Sequence, residues 1–435
     1  MAPKSIASIP TLSYRPDESM EAILRAPSHS SSLPGDFAKQ SKNGNAWLCL
    51  LGQQPDSADV PVYGSNGSSI EGVVELVKTD GVSKVEVKLE GFLKMHEIAE
   101  GGHSTTRLCL DHRILWVKEG ENATCPTTMK FSLQIPTTFK FEDVVYPLPP
   151  TYGVKLSGLP GFTANIDYTV SATVNKPNIS SSWPGRTKAL RFIVGTTSVS
   201  TPILYYPLSD LPSPLPQRLL TDSNGFHLTP EWTIYESTIT AKAKNVSDIT
   251  TKLYLPASKA YAISEKIPFH LLLSSKRLSL AAFLPLSPTA PSLGRPKPMK
   301  LQLMRQSTVD VRNAPTTSGA NRNMWRVDCI GTAEFRLTVE HPTFAGSHMI
   351  QFLQSDTPTW IAYSGEILVD QSVKTSGFKA AGLSVKDCLL LSLIPPDPLK
   401  CPFNDLRQVI GVRLTTRTCS SNESSASGIG GPIYN

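Results

Sequence analysis

Pro149-Pro150-Thr151-Tyr152 is a Pro-Pro-x-Tyr sequence. Paired prolines preset an extended left-handed helix at little entropic cost, and the tyrosine can fill an aromatic slot. The segment therefore has the chemistry of a WW-domain ligand, with Pro149, Pro150 and Tyr152 as the gripped residues. A second group is cationic: Arg295, Lys297 and Lys300 in a Pro-rich loop (Pro285–Lys300), and Arg407, Arg413 and Arg417 nearer the end. Clustered cations attract lipid phosphates or phosphorylated tails by about 1 kcal/mol each near an anionic surface. An ordinary solvated loop is the reading favoured for them. Pro288-Thr289-Ala290-Pro291 has PxxP spacing but lacks a well-placed flanking cation.

Catalytic chemistry finds little footing. Asp111-His112-Arg113 places an acid beside an imidazole, but a lone histidine between strand and turn is usually structural. No GxSxG elbow, Gly-rich phosphate loop or H-E-x-x-H occurs, and the histidines are scattered singly. The cysteines (Cys49, Cys109, Cys125, Cys329, Cys388, Cys401 and Cys419) are odd in number, widely spaced and contain no CxxC. Zinc and disulfide frameworks are thus poorly supported, and no metal or other cofactor is expected. Cys109 and Cys388 sit in apolar runs and read as small core residues.

The elements around these residues follow a period of two. Val85, Val87 and Leu89 alternate with Lys84, Glu86, Lys88 and Glu90, the pattern of a half-buried strand. The alternation returns over 129–135 and 166–174, and Lys188–Val194 closes this set. Turn-forming clusters lie between them at Gly64–Ser69, Thr79–Gly81, Glu119–Asn122 and Pro147–Gly153. Strands at this spacing, without helix-period segments between them, indicate a β-sandwich whose two sheets stack about 10 Å apart. A second strand-rich block follows, covering Trp232–Ala241, Thr250–Leu255, Ile267–Ser274, Lys300–Met304, Trp325–Cys329, Ala333–Val339, Trp360–Val369, Leu389–Ile394 and Gln408–Thr415. A polar loop is expected over Asn313–Asn323. The apolar runs Leu278–Leu286 and Cys388–Ile394 read as buried strands.

The expected organisation is a disordered tail over 1–57, a first sandwich over 58–200, a Pro-rich connection over 201–230, a second sandwich over 231–418 and a short tail over 419–435. Asp17–Arg25 could form one helical turn in the first tail, with Met20, Ile23 and Leu24 on one face. The 435 residues contain 36 prolines, which cut helices short and disfavour a helical bundle. The net charge of +6 is too mild for a dedicated nucleic-acid binder. No apolar run approaches the ~20 residues of a membrane-spanning helix, and the N-terminal residues lack a secretory core. A cytoplasmic location is therefore expected.

The order of these segments resembles the arrestin family, and within it the fungal arrestin-like proteins of the α type. Tyr63-Gly64 followed by Ile70–Val74 resembles the family's opening, Val85–Gly91 its "v-x-v-x-l-x-G" strand, and Phe131–Pro136 its "F-x-l-x-l/i-P". Leu148–Tyr152 followed by Ile166–Ala172 resembles "L-P-[SP]-[ST]-[FY] … I-x-Y-x-v-x-A"; there the first segment is structural and enters a strand, so the resemblance implies that Tyr152 is a packing aromatic and favours that reading over a WW-domain ligand. Gly365–Ile367 and then Ser376–Asp387 resemble the late segment "G-x-i … s-F-x-a-x-G-l-x-V-x-D". Together these span roughly residues 60 to 415.

The resemblance implies an all-β chain of two immunoglobulin-like (arrestin-like) β-sandwich domains in tandem. It implies a non-catalytic adaptor that binds membrane transporters or receptors and recruits HECT-type ubiquitin ligases through their WW domains. Cargo would then be ubiquitylated and endocytosed, with the adaptor recruited to the plasma membrane or endosomes. Retromer-type relatives share the fold and sort cargo instead. Phosphate-reading members use buried charge pairs, for which the sequence shows no matching arrangement. Two rivals stay open. One is an exported carbohydrate- or protein-binding sandwich, favoured by the sequons at Asn66, Asn122, Asn178, Asn245 and Asn422. The other is a hydrolase on a β scaffold, which no residue set supports.

Overall fold

A computed structural model describes residues 36–52, 60–64, 68–98, 102–120, 122–176, 195–222, 225–283, 299–311, 324–340, 358–394 and 401–419. Asp17–Arg25, Lys188–Val194, Pro288–Pro291, Arg295, Lys297 and the tail from Ser420 lie outside them. The described chain is nearly all β, as the alternation requires. In the first half, β1 (Phe37–Gln40), β2 (Ala46–Leu50), β4 (Ser69–Leu76) and β7 (Thr128–Gln134) form a four-stranded sheet in the order β1-β2-β4-β7. A second sheet runs β3 (Val62–Tyr63), β12 (Thr196–Tyr205), β11 (Phe162–Asn175), β5 (Lys84–Glu97), β6 (His103–Val117), with β10 (Tyr152–Leu156) added on β11. Leu48, Ile70, Val74 and Leu133 of one sheet share a core with Val87, Leu89, Ile166 and Val170 of the other. These are the positions of one strand parity, which is how alternation becomes a buried face. A hairpin of β8 (Thr138–Phe141) and β9 (Val144–Pro147) stands beside them.

The second half is one large curled sheet. Its path is β15 (Trp232–Ile239), β16 (Ile249–Pro256), β18 (Ile267–Lys276), β21 (Pro358–Val369), β20 (Met324–Glu340), β19 (Met299–Val309), β23 (Leu383–Leu393), β24 (Leu406–Thr415) and β17 (Ala260–Ala262), with β22 (Phe378–Ala380) on β23. The sheet bends until its two ends meet: Ser237 Oγ donates to the Gln408 side chain, whose amide reaches the Glu236 carbonyl. Leu253, Phe269, Leu271, Leu303, Ile367, Leu389 and Leu391 fill the interior.

Several expectations need correction. Residues 37–50, read as tail, form β1 and β2, because Ala46, Leu48 and Leu50 complete the first core. Residues 201–205, read as connection, are the end of β12. The rest of that Pro-rich segment is no free linker but a packed strap, carrying β13 (Thr221–Asp222) and β14 (Gly225–Phe226). Arg277–Phe283 is a helix, α1, where a buried strand was expected. Its Leu and Ala residues favour a helix and it has no β-branched residue to resist one; Arg277, Leu280 and Phe283, at helical spacing, are buried. Trp325–Cys329 and Ala333–Val339, read as two strands, are one continuous β20.

The halves meet through one end of the second sheet. Val309, Val311, Met324, Ala380, Ala381, Leu383 and Val385 belong to the core of the first half. Gly382 turns β22 into β23 at φ +95°, and a Cβ there would press on the Asp310 carbonyl and Met95. Only glycine fits this approach without strain.

Candidate functional site

The Pro-Pro-x-Tyr segment lies in this junction. Leu148, Pro149 and Pro150 are buried, and the Pro149 carbonyl accepts a 2.6 Å hydrogen bond from the Tyr168 hydroxyl. The Thr151 N–H donates to the Tyr205 carbonyl at 2.8 Å, and the Tyr205 N–H returns a bond to Thr151 Oγ1 at 2.9 Å. Tyr152 opens β10, which pairs with β11 from Tyr152↔Ile166 onward. Its ring meets Phe378 edge-on at 5.2 Å, and its hydroxyl shares a 2.8 Å hydrogen bond with Ser307 Oγ. Burial pushes the Tyr152 hydroxyl above its ordinary pKa, against the lowering effects of Ser307 and the nearby Arg305 charge. A WW groove needs both prolines and the tyrosine on an open extended segment. Here all three are engaged inside the fold.

Behind Ser307 lies a charge pair that sequence reading did not single out. Arg305 Nε and Nη2 donate to Asp387 Oδ1 and Oδ2 at 2.8 and 3.0 Å, and Nη2 also reaches the Thr375 carbonyl at 2.8 Å. The side chains are only 7% and 1% exposed, so the pair is out of water. A bidentate fork with a third acceptor offsets part of the desolvation cost. Strand parity could have revealed it. Arg305 and Ser307 continue the inward series Met299, Leu301, Leu303, and Asp387 interrupts the inward series Leu383, Val385, Leu389, Leu391. A charge in the apolar register of one strand, matched by its opposite in another, is the signature of a buried pair. Beside it, Arg326 forks to Asp328 and donates to the Lys155 carbonyl of β10, adding a polar tie between the halves.

A second polar cluster sits where the strap crosses the second sheet. His270 Nε2 accepts the Leu219 N–H at 3.1 Å, and Nδ1 lies 2.7 Å from Ser364 Oγ. Because a backbone N–H can only donate, Nδ1 carries the ring proton and donates to Ser364. That is the reverse of nucleophile activation, in which the imidazole takes the serine proton. Ser364 Oγ in turn contacts Thr338 Oγ1 at 2.7 Å. The ring is covered by Phe226 and Trp232 at 4.5 and 4.8 Å. Burial, with the Arg218 charge adding, lowers its pKa to about 4. A cavity of about 270 Å³ opens here between Arg218, Arg336, Thr338 and Ser364, with Glu334 and Glu366 on its rim. Glu366 is held by Arg218 and Lys266.

The remaining candidates fall elsewhere. His112 stands mid-strand in β6, 3.1 Å from Glu86 Oε2, rather than between strand and turn. Burial pushes the Cys109 thiol up to about 12 and that of Cys49 to about 11, the opposite of an activated thiolate. No group of three or more His, Cys, Asp or Glu suited to a metal occurs among the described residues. Lys300 lies on β19, and Arg407 and Arg413 lie on β24, whereas Arg417 pairs with Asp210 of the strap at 2.8 Å. The chain matches no protein-family model and no curated protein.

Proposed function

We propose that this chain is a non-catalytic adaptor built as two immunoglobulin-like β-sandwich domains of the arrestin type. In this reading it binds cytosolic parts of membrane proteins and promotes their ubiquitin-dependent endocytosis or trafficking. One observation carries the reading: the signature segments fall, in order, on strands whose apolar parity fills two joined cores. Val85–Gly91 lies in β5, Ile166–Ala172 in β11 and Leu383–Asp387 in β23. Buried charge pairs occur in the phosphate-reading members of the family that the sequence resembles, and Arg305–Asp387 at the junction is a buried pair. Tyr152 then serves as a junction residue, and ligase recruitment would use other segments or require the junction to open.

The test is genetic. Cells lacking the protein should retain a defined set of transporters or receptors at the surface, with fewer ubiquitin remnants on those proteins. An unchanged surface proteome and unchanged ubiquitin remnants would remove the adaptor reading. A glycosylated, exported product would instead favour the extracellular binding module.

A further inference from the structure

The register of the second sheet gathers cations that are far apart in sequence. On β19, β20 and β23, paired residues stand in rows across one outward face. Trp325, Thr308, Ser384 and Lys379 form one row, and Val327, Gln306 and Lys386 the next. Cys329, Met304, Cys388 and Gly411 follow, then Thr332, Gln302, Leu390 and Val409, then Lys300, Ser392 and Arg407. Arg413 extends the face on β24, two residues beyond Gly411. No acidic residue occurs in these rows. Lys379, Lys386, Arg407 and Arg413 are exposed and Lys300 is half-buried. Among the described residues only Arg407 has a carboxylate near, Asp405 at 3.8 Å. Between the cations stand Trp325, Val327 and Val409, which are 60%, 41% and 65% exposed.

We infer that this face docks on an anionic lipid bilayer, with Lys300, Lys379, Lys386, Arg407 and Arg413 meeting the head groups and Trp325 seated at the interface. The inference gives the adaptor reading its membrane contact, but its physical basis is the face alone. Charge complementarity selects the occupant: each cation near an anionic leaflet is worth about 1 kcal/mol, or about fivefold in partitioning. Trp favours the head-group level, where its amphipathic ring is half wet. Other occupants fit less well. A second copy would set cations against cations. An added peptide strand needs a free edge, whereas β19, β20 and β23 are each paired on both sides. One exposed aromatic gives no stacking platform for successive nucleic-acid bases.

The test is flotation of the full chain with vesicles of phosphatidylcholine alone or mixed with phosphatidylserine. The protein should float only with the anionic vesicles and less at high salt. Lys300→Glu/Lys386→Glu/Arg407→Glu should lose binding by more than a hundredfold while keeping the wild-type circular dichroism and denaturation midpoint. Trp325→Ala should weaken binding severalfold without changing the salt dependence. Failure of wild type to float with anionic vesicles, or equal flotation of the folded triple variant, would overturn the inference. So would binding of a phosphorylated peptide or an oligonucleotide through these residues without vesicle binding. Surface-protein retention in knock-out cells reports on the adaptor reading separately, whichever way the vesicles answer.

Discussion

Asp387 and Lys386 are neighbours on β23, yet they face opposite worlds. Asp387 points inward to a fork from Arg305, and its side chain is 1% exposed. Lys386 points outward among other cations with no carboxylate near among the described residues. The neighbouring strand β19, which carries both of their partners, repeats the contrast, with Arg305 inward and Lys300 and Gln306 outward. A charge on the inner face is held by desolvation: once water is gone, its partner is obligatory. A charge on the outer face is screened and replaceable, so it is free to meet something else. The outer face itself differs along the sheet. Over β16, β18 and β21 the strap lies on top, and Leu219, Phe226 and Trp232 seal Tyr254, Leu272 and Trp360. Among the described residues no segment covers β19, β20 and β23 in the same way, and Lys, Arg and one Trp stand exposed there.

The sharpest way to break this contrast is to remove one inner charge. Asp387→Asn leaves the buried Arg305 guanidinium without its counter-charge, and urea denaturation should show a loss of about 3–5 kcal/mol. Lys386→Glu, one residue away, should stay within about 0.5 kcal/mol of wild type. Equal losses in the two variants would mean that facing does not decide the role.

The covered outer face should reveal itself through pH. An unfolded histidine titrates near 6.5, whereas folded His270 titrates at about 4. Between those values the unfolded chain binds more protons, so stability is full above pH 6.5 and falls as pH drops toward 4. The His270 contribution to that fall is about 3 kcal/mol. Its protonation would also deprive the Leu219 N–H of an acceptor and loosen the strap. Denaturation at several pH values should show this slope in wild type and lose that part of it in His270→Gln.

A smaller effect concerns the junction. Tyr152→Phe removes the bond to Ser307 and should cost about 1 kcal/mol. Folded wild-type protein should not be retained on an array of WW domains. Retention that disappears in Tyr152→Ala would show that the segment leaves the junction. Smallest of all, Trp325→Ala on the open face should change stability by less than about 0.5 kcal/mol, because its ring rests largely in water.

Much of the fold was legible. Alternation located β5, β7 and β11 and most strands of the second half, because a half-buried strand writes its two faces into successive residues. Strand β6 was legible only as the short run Leu108–Leu110, since Leu110, Ile114 and Val117 are exposed and blur the period over His103–Val117. α1 was misread because a short apolar run has no period of its own. The Pro-Pro-x-Tyr chemistry was also legible, but its availability was not. The same four residues suit a ligand or a strand start, and only the approach of Tyr168, Phe378 and Ser307 decides between them.

The amino-acid order alone determined that this chain folds as strands, and which residues of each strand are apolar enough to leave water. Local side-chain spacing suffices for that, because the period of a strand is a property of its own backbone. The tertiary structure decided which charges became paired supports and which remained a surface. That outcome depends on register between strands far apart in sequence, such as Arg305 with Asp387, 82 residues apart. Parity within a strand can mark a charge as inward-facing, but it does not say which strand supplies the partner.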